Sequence, residues 1–72
     1  MEKFAYVVLL PQYPTTKRYF VEADNAAVAA QKVRREHKDV RNEPYWACTT
    51  ADNVEKAVNR LWEQYKRVHP IG

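Results

Sequence analysis

The chain has 72 residues, 46% of them apolar and 29% charged, with 12 Lys and Arg against 9 Asp and Glu and a formal net charge of +3. A single domain over residues 1–72 is expected, and because a chain of this size buries only ~60% of its unfolded surface, every element must share one small core. The composition excludes a disordered tail, and the lone Cys48 excludes an intramolecular disulfide framework or a multi-cysteine zinc site and fits a reducing, cytoplasmic setting.

The run from Phe4 to Leu10 is dense in β-branched and aromatic side chains and stops at Pro11, which predicts a first strand over Lys3–Leu10. At seven apolar residues it is too short to cross a membrane, and no small-residue cleavage pattern follows it, so neither a membrane span nor a signal peptide is expected. "PQYPTT", Pro11 to Thr16, is a loop. Its Pro-x-x-P spacing is read as prolines that stiffen a hairpin connection rather than as a polyproline ligand.

Lys17 to Ala23 alternates Tyr19, Val21 and Ala23 against Arg18, Phe20 and Glu22, the pattern of a half-buried second strand paired with the first. Asp24 stands where an N-cap is needed before "NAAVAAQKVRREHK", in which Ala26, Ala29, Ala30, Val33 and His37 share one side of a helix. With no glycine before Gly72, Asn42 is the residue expected to close this segment in a left-handed conformation.

"PYWACTT", Pro44 to Thr50, is a short third strand. Asp52 and Glu55 then have the spacing of a capping box, and Val54, Ala57, Val58, Leu61, Tyr65 and Val68 form the buried stripe of a last helix that Pro70 ends. The fold expected is α+β, in the order β-β-α-β-α: a two-layer sandwich of a three-stranded sheet, order 2-1-3, with two helices on one face. The first strand takes the centre because it alone is apolar on both parities, and the helix between the second and third strands makes a right-handed crossover. Tyr19, Val21 and Ala23 face the helices. Hairpin register leaves open whether Phe4, Tyr6, Val8 and Leu10 or Ala5, Val7 and Leu9 join them, the other set staying on an open face beside Phe20 and either Tyr45 or Trp46.

The only glycine is Gly72, so phosphate-cradling loops, a dinucleotide fingerprint and a glycine-rich nucleophile elbow are absent. Cys48 is the one thiol nucleophile, but an apolar strand setting raises a thiol pKa rather than lowering it. His37 is read as a packing residue near a helix C-terminus. His37, Cys48 and His69 are too scattered for a metal site, and neither a metal nor a cofactor is expected.

Two features remain for function. Gln31, Arg34, Arg35 and Lys38 fall on the solvent side of the first helix with Arg41 just beyond, giving a basic patch relieved by no acid except Glu36 and Asp39, whereas Lys56, Arg60 and Arg67 are interleaved with Glu63 and read as a self-neutralised face. Rings on the sheet beside Phe20 and Arg18 could stack bases or meet a second copy, although the Gly-flanked aromatics of an RNA-recognition third strand are missing. The reading is a non-enzymatic binding or regulatory protein, by analogy of size with phage or mobile-element accessory proteins and inhibitors. It meets an acidic protein surface through Arg34, Arg35, Lys38 and Arg41 together with Arg18 and Phe20, and forms at most a weak homodimer. The alternative is a module for RNA or single-stranded DNA.

Overall fold

The computed structural model describes residues 1–13 and 15–69. Pro14, Pro70 and Gly72, which carry part of the loop reading and the end of the last helix, lie outside them. The elements are β1 (Glu2–Leu10), β2 (Thr15–Ala23), α1 (Ala26–Glu36), β3 (Trp46–Thr50), a 3₁₀ turn (Ala51–Asn53) and α2 (Val54–Val68). The sheet order is β2-β1-β3 and the fold is α+β, as the sequence pattern requires.

β1 pairs antiparallel with both neighbours, so β2 and β3 run parallel to each other on either side of it. Phe4 lies opposite Val21 and Tyr6 opposite Tyr19, while on the other side Tyr6 lies opposite Cys48 and Val8 opposite Trp46. This register resolves the open parity: Phe4, Tyr6 and Val8 share a face with Tyr19, Val21, Trp46 and Cys48. That face meets α1, where Tyr6 and Val8 pack with Ala30, Val33 and Val40, and Phe4 and Ala23 pack with Ala29.

α2 is not on the same face. Val7, from the opposite parity of β1, packs with Ala57, Val58 and Leu61, and Ala47 and Trp62 join them. The two-layer arrangement with both helices on one side is therefore corrected to three layers, with α1 and α2 on opposite faces of the sheet. The reason is in β1 itself: all six residues from Phe4 to Leu9 are buried, and a strand with apolar side chains on both parities needs cover on both faces. Ala5, Val7 and Leu9, expected to stay on an open face, are each fully buried.

Local details differ for equally physical reasons. Asn25, not Asp24, caps α1: its Oδ1 accepts from the Val28 N–H at 2.9 Å. α1 ends at Glu36 with His37 as C-cap at φ −118°, its N–H bonded to Val33 O at 2.8 Å, and turns fill the segment to Asn42. The capping box does not form. A 3₁₀ turn precedes α2, Asn53 makes no side-chain cap, and the Glu55 carboxylate is taken instead by Arg18 at 2.8 Å. On α2, Ala57, Val58 and Leu61 are buried as expected, but Val68 is 61% exposed, and Trp62, outside the expected stripe, packs against the same cluster.

Because α2 closes one whole side of β1, Leu61→Ala, at a site 2% exposed, is expected to destabilise the domain by about 2–5 kcal/mol in urea denaturation. A loss below about 1 kcal/mol would mean that α2 is only loosely applied to the sheet.

Candidate functional site

The basic patch is built on α1 and the turn after it. Val40, 1% exposed, is plugged into the core against Tyr6, Val8, Ala30 and Val33, which pins the turn to the sheet. Arg34 is half-buried rather than free: its guanidinium lies 5.1 Å from the Trp46 ring centroid, and Nη2 donates to Arg41 O at 3.0 Å. Trp46 in turn stacks on Tyr6 with ring centroids 5.2 Å apart. Core residue, ring, guanidinium and turn carbonyl thus form one stack, and Arg34 acts as the tether of the patch more than as its contact surface.

Arg35, Lys38 and Arg41 project to solvent. With Arg34 and Gln31, Arg35 and Arg41 line a shallow depression of about 510 Å³. Among the described residues the ion pairs are Lys17 with Asp39 at 3.5 Å and Arg18 with Glu55 at 2.8 Å, so Arg35, Lys38 and Arg41 are engaged by no carboxylate. Arg34 and Arg35 sit in the last turn of α1, where the helix dipole favours cations and offsets their mutual repulsion.

The other two residues singled out from the sequence lie elsewhere. Arg18 and Phe20 are on the α2 side of β2, the face opposite the α1 patch, so the structure divides the expected site into two separate surfaces. α2 covers β1 and β3 but leaves this flank of β2 open, and Phe20 is 54% exposed there. Nor is the α2 cation row internally neutralised: among the described residues no ion pair joins Glu63 to Arg67.

One cluster went unread in the sequence. Tyr65 meets Tyr45 edge-on at 5.7 Å, Trp62 at 6.2 Å and the His69 ring at 4.7 Å, which makes a half-exposed aromatic corner where α2 passes the start of β3. The spacing Trp62, Tyr65, His69 on one helical face was the available signal. His37, taken as a packing residue, lies against Tyr19 with centroids 4.3 Å apart.

Cys48 is half-buried on the α1 side, and burial pushes its thiol above the ordinary 9.0. Burial likewise pushes the Tyr6 phenol above 10.0, with the Arg34 charge opposing and Cys48 adding to the effect. In comparisons with known proteins, no family model, no curated protein and no solved structure matches this chain.

Tyr6 is fully buried, and among the described residues its hydroxyl has no hydrogen-bond partner. Tyr6→Phe removes that desolvated group and is expected to raise stability by about 1 kcal/mol, read from the urea midpoint. Both raised groups are neutral in the fold while the unfolded chain ionises at the ordinary values. Their stabilisation is full below pH 9.0 and is lost as pH rises through the raised values. The alkaline decline of the urea midpoint should accordingly be shallower in Tyr6→Phe with Cys48→Val, and an unchanged slope would place the decline on other groups.

Proposed function

We propose that this chain is a small non-enzymatic binding protein whose α1 surface meets an acidic partner protein. The observation that supports this reading most is that Arg35, Lys38 and Arg41 stand on a pinned frame and, among the described residues, no carboxylate engages them. Glu36 and Asp39 are interleaved with these cations, but Asp39 is taken by Lys17. Here the tether through Arg34 and Trp46 and the plug of Val40 hold the cations in register before any partner arrives, which lowers the ordering cost of binding. Long-range attraction to an acidic surface then acts mainly on encounter and orientation.

The same protein self-associates weakly through the flank that carries Phe20. A second reading, binding of RNA or single-stranded DNA, draws on the aromatic corner of Tyr45, Trp62 and Tyr65, since rings of this kind stack bases without regard to sequence. Of the sheet rings, Phe4 and Tyr6 are buried under α1, and Phe20 alone of the three stays exposed.

The two readings separate in one titration, with a fluorescent oligoglutamate peptide and a labelled single-stranded RNA of mixed sequence as probes, at low and at physiological salt. The acidic-partner reading expects the peptide to bind, binding to fall with salt, and Arg35→Glu with Lys38→Glu to weaken it about tenfold or more, equivalent to about 1.4 kcal/mol, while folding stability changes by less than about 1 kcal/mol. RNA binding that survives this pair of reversals and is lost in Tyr65→Ala would favour the second reading. Failure of both probes at low salt would remove both.

A further inference from the structure

β2 is an edge strand, and its free side can be worked out from one bond. Leu9 N–H donates to Tyr45 O at 2.9 Å, so in the β1–β3 ladder the odd residues of β1 bond to β3 and, by the alternation of antiparallel pairs, the even ones bond to β2. In β2 the residues opposite those even positions are Lys17, Tyr19 and Val21, which leaves the backbone N–H and C=O of Thr16, Arg18, Phe20 and Glu22 pointing away from the sheet. Lys32 Nζ donates to Glu22 O at 3.1 Å, as an outward carbonyl allows.

This edge is nine residues long, and its pairing with β1 runs from Glu2 opposite Ala23 to Leu10 opposite Thr15 without a bulge. Long, regular edges are normally blunted. The blunting visible here is the Lys32 contact at one end and, toward the other, Lys17 paired with Asp39 on the α1 side. The side chains of Arg18, Phe20 and Glu22 all stand on the α2 side, all three exposed, because α2 stops short of β2.

We infer that β2 pairs antiparallel with β2 of a second copy about a twofold axis at Phe20, which joins two three-stranded sheets into one continuous sheet. It rests on the self-association proposed above and specifies the edge, the register and the pairs. Centring the axis at Phe20 sets Phe20 beside the partner's Phe20, Arg18 opposite the partner's Glu22, and Glu22 opposite the partner's Arg18. Sliding one copy by a single step of equal side-chain parity puts Phe20 against Arg18 or against Glu22, and a further slide in the first direction sets the two copies of Arg18 against each other. The centred register places opposite charges across both flanks and rings in the middle, the cross-strand pairs that stabilise a sheet. It is also isologous, as a twofold interface must be.

Neither existing contact on the edge blocks the pairing. Arg18 already bonds Glu55 at 2.8 Å, but a guanidinium has five donors and can bridge Glu55 to the partner's Glu22. The Glu22 carbonyl has two lone pairs, so the Lys32 ammonium and the N–H of the partner's Arg18 can share it.

Sedimentation over a range of concentrations, with circular dichroism as the check on folding, tests the pairing. Wild type is expected to show a monomer–dimer equilibrium, Glu22→Arg to raise the dissociation constant about tenfold or more, and Arg18→Glu combined with Glu22→Arg to restore it. Register is read by oxidation in a Cys48→Ser background. Phe20→Cys should crosslink, because paired Cα atoms about 5.5 Å apart suit a disulfide, whereas Arg18→Cys should not, its two copies being about 14 Å apart. A wild type that stays monomeric at the highest concentration overturns the self-association and the register together. A dimer indifferent to Glu22→Arg, or one that crosslinks through Arg18→Cys, keeps the self-association and overturns the β2 pairing. Arg35→Glu with Lys38→Glu leaves the dimer unchanged if the α1 surface and the β2 edge are separate, as the fold places them.

Discussion

The burial of β1 on both of its faces is the constraint from which the rest of the structure follows. Its six consecutive buried residues leave no polar side for solvent, so the strand is stable only at the centre of a sheet with a helix on each side. A domain of 72 residues has one helix to spend on each face. α1 supplies small residues, Ala29, Ala30 and Val33, which let it lie close over the rings of Phe4 and Tyr6, and α2 supplies larger ones, Val58, Leu61 and Trp62, over the smaller Val7 and Ala47. Large against small on either face keeps both layers dense.

What is left exposed follows from that division. A helix narrower than a three-stranded sheet cannot cover all of it, and α2, centred over β1 and β3, leaves β2 bare on one side. Arg18 reaches back from this bare flank to Glu55 at the start of α2, among the described residues the one side-chain hydrogen bond between strand and helix there. The α1 side is better covered, and its surplus is charge: the turn from Lys38 to Asn42 folds back so that Val40 enters the core and Arg41 is offered to solvent next to Arg35. The two surfaces differ in chemistry because they arise from different leftovers, an uncovered strand edge in one case and the outer row of a helix in the other.

The interior polar chemistry is sparse and is neutral by necessity. The Tyr6 hydroxyl and the Cys48 thiol lie on the α1 side, and burial holds both in their protonated forms. Tyr6 stacks on Trp46 and so connects the core to the Arg34 tether, which makes its ring more useful to the fold than its hydroxyl.

Strand parity, helix stripes and the central place of β1 were legible in the sequence, because alternation at two residues and recurrence at three and four are local consequences of backbone geometry. So was the exposure of Phe20, whose neighbours in the alternation are Tyr19 and Val21. The sidedness of α2 was not. An amphipathic stripe says that a helix needs a face and not which face, and the apolar odd positions Ala5, Val7 and Leu9 held that information only once a tertiary partner was assigned to them. The same holds for Arg34, whose sequence position is that of a solvated helix residue and whose actual partner, Trp46, is brought beneath it by the pairing of β3 with β1. Capping failed for the related reason that Glu55 had a competitor in space: Arg18, 37 positions away, binds the carboxylate that a local rule assigned to the helix N-terminus. Sequence by itself determined what each segment must bury; the tertiary structure decided against what, since the contacts that settle it join residues whose separation along the chain leaves no periodic trace.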